Sequence, residues 1–154
     1  MKKLLILPLL FFLFSCNENR LLNQYEDIPQ FNWEKSNVPS YSVNIADTDA
    51  KYKIIIGLRH TSGISFAEVL VHLKMTSPSG EVVETPYILE LRDKENGSLN
   101  GSAMGDIADF EVAVEDGFTF KEAGTYQFSI SQEMEQETIS GVMEVGLVID
   151  KLKE

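Results

Sequence analysis

The clearest strand signal in the chain is the stretch Gly124-Thr125-Tyr126-Gln127-Phe128-Ser129-Ile130. Aromatic and aliphatic side chains occupy every second position from Tyr126 onward, and polar side chains fill the positions between them. This period of two is typical of a strand that buries one face and exposes the other. The glycine and tyrosine at its start also resemble a β-sandwich corner, where a tyrosine hydroxyl bonds to nearby backbone. The stretch therefore predicts a half-buried sandwich strand.

The same alternation recurs along most of the chain after residue 40. Seven further runs show it: 41–45, 52–58, 69–75, 82–91, 110–114, 118–120 and 143–152. Turn signals such as residues 77–80 separate them at intervals of roughly 8–12 residues, the spacing of an all-β sandwich. Pro86 places its run at a sheet edge or breaks it. We predict an all-β, antiparallel sandwich of about eight strands, Ig-like or jelly-roll-like.

The N-terminus has the three parts of a secretory signal. Two lysines follow Met1, an apolar run extends over residues 4–14, and Ser15 precedes the only cysteine, Cys16. The run is too short to cross a bilayer, which takes about 20 residues. Leu13-Phe14-Ser15-Cys16 resembles a bacterial lipobox, so we predict that residues 1–15 are a cleaved lipoprotein signal peptide and that Cys16 is lipidated. An ordinary secretion signal with a stray cysteine is the alternative.

Residues 16–40 are predicted to be a tether and lead-in segment, and residues 41–154 to be the β-sandwich domain. The lead-in has aromatic residues but no clean period. We expect its aromatics to dock on the domain, with Trp33 covering one end of the core. Alternatively, Phe31 and Trp33 form an exposed patch that binds a partner.

Charge excludes several classes of function. The chain has 13 basic and 24 acidic residues, and two of the basic ones, Lys2 and Lys3, lie in the signal peptide. The remaining net charge of 11 − 24 = −13 disfavours nucleic acid and peripheral binding to an anionic membrane. Attachment to a membrane must then come from acyl chains on Cys16. Because no other cysteine is present, disulfides and thiolate metal sites are also excluded.

Few residues indicate chemistry, and we predict no catalytic residue, metal or cofactor. His60 and His72 lie in or beside strands and away from any nucleophile motif, so each is expected to be a satisfied or solvated side chain. Loop carboxylates could hold Ca²⁺, but their spacing does not fit the twelve-residue calcium loop. Turn capping is the alternative for these side chains: Asp93, Glu95, Asp106 and Asp109.

A family resemblance covers nearly the whole chain after the signal peptide. It is carried by residues 105–109, 118–120, 123–130, 132–134 and 139–149, with the lipobox, the lead-in and residues 58–61 in matching order. These segments resemble the gliding-motility lipoprotein GldH family of Bacteroidota. Two positions depart from that pattern: Ala108 stands in place of a bulky residue, and Glu135 in place of a basic one. Both could alter a contact surface.

The resemblance implies a lipoprotein of the cell envelope that is linked to gliding motility and protein secretion. We therefore expect a non-enzymatic accessory lipoprotein, anchored in the outer membrane, that binds other envelope or motility proteins. Its acidic surface suggests a partner with a basic face. Candidate contact residues are the lead-in aromatics and the loop from Gly97 to Asp109. The alternatives are a carbohydrate-binding envelope lipoprotein, which needs exposed aromatics, and a calcium-stabilised module.

Overall fold

The computed structural model describes residues 19–153, so the signal peptide and Cys16 lie outside the described residues. The described chain forms eleven β-strands, no α-helix and one short 3₁₀ turn, Pro29–Phe31. The strands are β1 (Arg20–Asp27), β2 (Asn32–Glu34), β3 (Ser40–Ile45), β4 (Tyr52–Thr61), β5 (Glu68–Thr76), β6 (Val82–Glu90), β7 (Ser102–Met104), β8 (Ile107–Phe118), β9 (Gly124–Gln132), β10 (Thr138–Ser140) and β11 (Val142–Lys151).

Two antiparallel sheets form a sandwich, as predicted. The first has the order β1-β11-β4-β8-β7 and the second the order β3-β9-β5-β6, while β2 and β10 form a separate pair. Pro86 lies in β6, which is an edge strand, where a missing N–H costs no sheet hydrogen bond. The core lies between the sheets because side chains alternate inward along each strand, as in β3, where Tyr41, Val43 and Ile45 are buried.

The corner predicted at Tyr126 is present. Its hydroxyl donates to the backbone oxygen of Glu122 at 3.1 Å and accepts from the backbone N–H of the same residue at 3.2 Å. Phe120 packs against the Tyr126 ring at a centroid distance of 4.7 Å and against Tyr52 at 5.0 Å. Residues 118–120, predicted as a separate short strand, do not form one. Strand β8 ends at Phe118, and Phe120 is buried in a corner of the core.

Strand β1 lies inside the range that we assigned to the lead-in. Backbone pairing with β11 continues along it from Leu22 to Asp27, after an irregularity near Arg20. Alternation is missing because Leu21 and Leu22 are consecutive and both are partly buried against the core. Trp33 is completely buried, as expected, whereas Phe31 is 48% exposed.

The two ends of the sandwich differ in sequence, and we call them the lower end and the upper end. The lower end is formed by residues 19–20, 47–53, 77–81, 116–124 and 150–153. Lys151 holds it together, because its backbone N–H donates to Asn19 at 2.7 Å and its ammonium to the Asp47 carboxylate at 2.6 Å. The upper end is formed by residues 28–37, 61–68, 90–107 and 133–141.

Candidate functional site

Besides Val38, which is 42% exposed and directly follows Asn37, three large apolar side chains are exposed at the upper end. Met104 is 86% exposed, Phe31 48% and Ile107 40%. We call these three residues the upper apolar surface. Scattered apolar side chains are normal on a protein surface, but a group that shares one end of the fold is a candidate contact site.

Strand pairing and backbone hydrogen bonds bring the three residues to the same end. The Gly141 N–H donates to the Phe31 oxygen at 2.7 Å, and the Thr61 N–H donates to the Gly141 oxygen at 2.8 Å. Thr61 is paired with Ile107 across β4 and β8, and Ile107 with Met104 across the hairpin of β7 and β8. The upper apolar surface therefore rests on segments that are far apart in the chain.

Phe31 is exposed because of an unusual backbone. Gln30 and Phe31 have φ angles of 55° and 58°, in the left-handed region that few residues other than glycine adopt. Two buried residues flank this turn: Ile28 is 3% exposed and Trp33 0%. The buried neighbours hold the turn in place, and such strained positions are concentrated at functional sites.

The surroundings of the upper apolar surface are acidic. Basic residues at this end are few, and two of them are engaged: Lys94 pairs with Glu90 at 2.5 Å, and Arg92 donates to the backbone oxygen of Ser62 at 2.9 Å. The acidic residues of the upper end are Glu34, Glu68, Glu90, Asp93, Glu95, Asp106, Glu133, Glu135 and Glu137, and its basic residues are Lys35, Arg92 and Lys94. A basic partner would be attracted to this end.

Two of the four carboxylates named for calcium, Asp93 and Asp109, have separate partners. The Asp93 carboxylate accepts the backbone N–H groups of Glu95 and Asn96, both at 2.9 Å, as the turn-capping alternative expects. Asp109 pairs with Arg59 at 2.7 Å, and this ion pair raises the pKa of the guanidinium. Within residues 19–153 no group of three or more His, Cys, Asp or Glu side chains is placed to hold a metal ion.

Both histidines bond to groups other than a nucleophile. His72 lies 3.0 Å from the carboxylate of Glu84, and His60 Nδ1 lies 2.9 Å from the backbone oxygen of Thr61. His60 is completely buried, and no residue between 19 and 153 gives its Nε2 a hydrogen-bond partner. The expectation of a satisfied or solvated side chain therefore holds for His72 and for Nδ1 of His60, and it is not met at the buried Nε2 among the described residues.

A tyrosine covers two glycines on the outer face of the first sheet. Tyr25, Gly146, Gly57 and Glu111 lie side by side on β1, β11, β4 and β8. The Tyr25 ring lies across both glycines, and its hydroxyl donates to the Glu111 carboxylate at 2.6 Å. Burial and this carboxylate raise the pKa of Tyr25. The sequence signal was a glycine inside each strand, which often marks close approach by another group.

Replacing Gly146 by alanine is expected to expel the Tyr25 ring from this face. The added methyl group would overlap the ring, so we expect a loss of about 1–3 kcal/mol in the free energy of unfolding, measured in urea. The matched control is the same substitution in a Tyr25→Ala background, where the methyl group has open space. An equal loss of stability in both backgrounds would mean that the Tyr25 ring does not cover Gly146.

Within the described residues no helix is long and apolar enough to cross a membrane. The family described as GldH lipoprotein matches residues 20–149. A protein of Flavobacterium johnsoniae named gliding motility lipoprotein GldH is 23% identical over 146 residues, which cover 90% of this chain and 89% of that protein. The family match extends from the first residue of β1 almost to the end of β11, and so includes both sheets.

Proposed function

This chain belongs to the GldH lipoprotein family, and we propose that it is an accessory lipoprotein of the gliding-motility machinery, which is tied to protein secretion. It acts without catalysis, by binding another protein of the cell envelope. Acyl chains on Cys16 anchor it, in the outer membrane. The name of the Flavobacterium johnsoniae relative supports the motility role, and the lipobox-like residues 13–16 support the anchor.

The exposed Phe31 is the observation that carries the binding role. Burial of Trp33 alone does not require Phe31 to have a left-handed backbone. The unusual backbone at Phe31 therefore indicates a role for its exposed ring. Exposed Met104 and Ile107 at the same end extend the surface. We propose that this surface contacts an apolar patch on a partner whose rim is basic, because charged rims steer association and central apolar contacts supply affinity.

The binding role is favoured over the carbohydrate-binding alternative by the placement of the aromatics. A sugar site would need exposed aromatic rings on a concave face, but the only tryptophan is fully buried. Tyr126 and Phe128 are also in the core. Phe31 alone gives no platform, whereas its apolar neighbours suit a protein surface.

Photocrosslinking in intact cells tests this proposal. A photoreactive amino acid is placed at Phe31 or Met104 in the full-length protein, and captured proteins are identified by mass spectrometry. The matched control is Ile88, which is 58% exposed on β6, an edge strand of the sheet that does not contain β7 and β8. We expect the same envelope protein to be captured from Phe31 and Met104 but not from Ile88.

Two results would contradict the proposal. One is capture of the same protein from all three positions with equal yield, which would mean that the upper apolar surface has no special role. The other is that the variants labelled at Phe31 and Met104 capture no protein, although both variants are folded and present in the membrane fraction. That second result would turn attention to a ligand other than a protein.

A further inference from the structure

We infer that the sandwich stands on the lipid bilayer on its lower end and presents the upper apolar surface away from the membrane. This inference rests on the proposed anchor at Cys16. It adds the second contact surface of the molecule, between the lower end and the lipid headgroups.

The length of the tether requires the lower end to be near the membrane. The Asn19 oxygen accepts the Lys151 N–H at 2.7 Å, and the Arg20 guanidinium bonds to both carboxylate oxygens of Asp150, at 2.9 and 3.1 Å. The chain is therefore tied to the fold from Asn19 onward. Between Cys16 and Asn19 there are three peptide steps, which span at most about 11 Å. An acylated Cys16 cannot be far from the lower end.

Charge favours the same orientation. Within residues 19–153 the lower end contains six basic and six acidic residues, and Glu18 and Glu154 adjoin it in the sequence, whereas the rest of residues 19–153 contains 5 basic and 16 acidic residues. An anionic membrane therefore repels the lower end less than the rest of the described domain. The net charge of the whole chain, which disfavours a membrane surface, conceals this asymmetry.

Exposed apolar residues at the foot of β6 also suit the bilayer interface. Val82 is 53% exposed and Val83 40%, directly after the lower-end turn that finishes at Glu81. Val83 is also one wall of an apolar cleft of about 160 Å³ that lies between the sheets, with Met75 and Phe118. Lys121 stands at the rim with its side chain 75% exposed and its ammonium paired with the Glu81 carboxylate at 2.7 Å, so a polar ion pair faces the headgroups while the apolar groups face the boundary of the acyl region.

Fluorescence quenching by lipids tests the orientation. Cys16 is the only cysteine and its thiol is consumed by acylation, so one new cysteine can be labelled selectively. Ser79→Cys in the exposed turn of the lower end, Ile88→Cys near the upper end of β6 and Met104→Cys at the upper end each receive a small fluorophore. The full lipoprotein is reconstituted in phosphatidylethanolamine and phosphatidylglycerol vesicles that carry a short-range quencher on the headgroup.

We expect quenching to be several-fold stronger at position 79 than at positions 88 and 104. Strand β8 joins the two ends and is about 35 Å long, so a quencher at the headgroups reaches only one of them. Equal quenching at all three positions, or the reverse order, would overturn the orientation.

The mass of the N-terminal peptide separates this inference from the proposed anchor. If Cys16 is acylated and quenching is equal at the two ends, only the orientation is wrong. If Cys16 carries no acyl chain and the protein does not float with the vesicles, both the anchor and the orientation are wrong.

Discussion

Replacing Cys16 by alanine is expected to leave the sandwich folded and to remove the protein from the membrane fraction. The described residues contain no helix that could cross a bilayer, and most of the domain surface is acidic. Each buried methylene of an acyl chain contributes about 0.8 kcal/mol, and two or more chains hold a protein stably. Fractionation after a high-salt wash, which removes attached protein partners, measures the effect.

Cleavage of a lipoprotein signal peptide depends on the cysteine that follows it, so the Cys16→Ala variant needs a signal peptide that is removed without Cys16. The variant chain therefore carries the signal of an ordinary secreted protein in place of residues 1–15, and alanine at position 16. Circular dichroism with the thermal midpoint shows that its domain is intact. Retention of this cleaved, folded variant in the washed membranes would show that the lipobox interpretation of residues 13–16 is wrong.

The alternation rule found those strands that bury one face and expose the other. It failed for β1, which owes its place to backbone pairing with β11 and to the contact of Tyr25 with two glycines on other strands. It also failed for β2, β7 and β10, because strands of three residues are too short to show a period. The sequence thus predicts the layers of the sandwich better than it predicts the strands at its margins.

The candidate contact site was only partly predictable. The lead-in aromatics and residues 97–109, which contain Met104, were both named from the sequence, but the predicted loop at 97–109 is wrong in part, because it contains β7 and the start of β8. Nothing in the sequence separated Phe31 from Trp33. Their opposite exposure depends on two left-handed backbone angles and on a hydrogen bond from Gly141. Gly141 lies 110 residues from Phe31 in the chain, so no local pattern could reveal this contact.

Replacing Trp33 by alanine is expected to cost about 3–5 kcal/mol in the free energy of unfolding, because a large, fully buried ring is lost and a cavity remains. Its indole N–H also donates to the backbone oxygen of Asn37 at 2.9 Å, and this acceptor would lose its partner. The thermal midpoint should fall by roughly 10–20 °C for a domain of this size. Circular dichroism measures the change in the variant, which has no tryptophan left.

Two further variants show whether the loss of stability comes from the buried Trp33 ring or from any change in this turn. Trp33→Phe keeps most of the apolar volume and loses the hydrogen bond to Asn37, so it should be clearly more stable than the alanine variant. Phe31→Ala changes a half-exposed ring in the same turn and should shift stability by about 0.5 kcal/mol at most. If Trp33→Ala unfolded at the temperature of the unmodified protein, Trp33 could not be a core residue. If Phe31→Ala were as damaging as Trp33→Ala, Phe31 would be needed for folding, and its exposure could not be explained by partner binding alone.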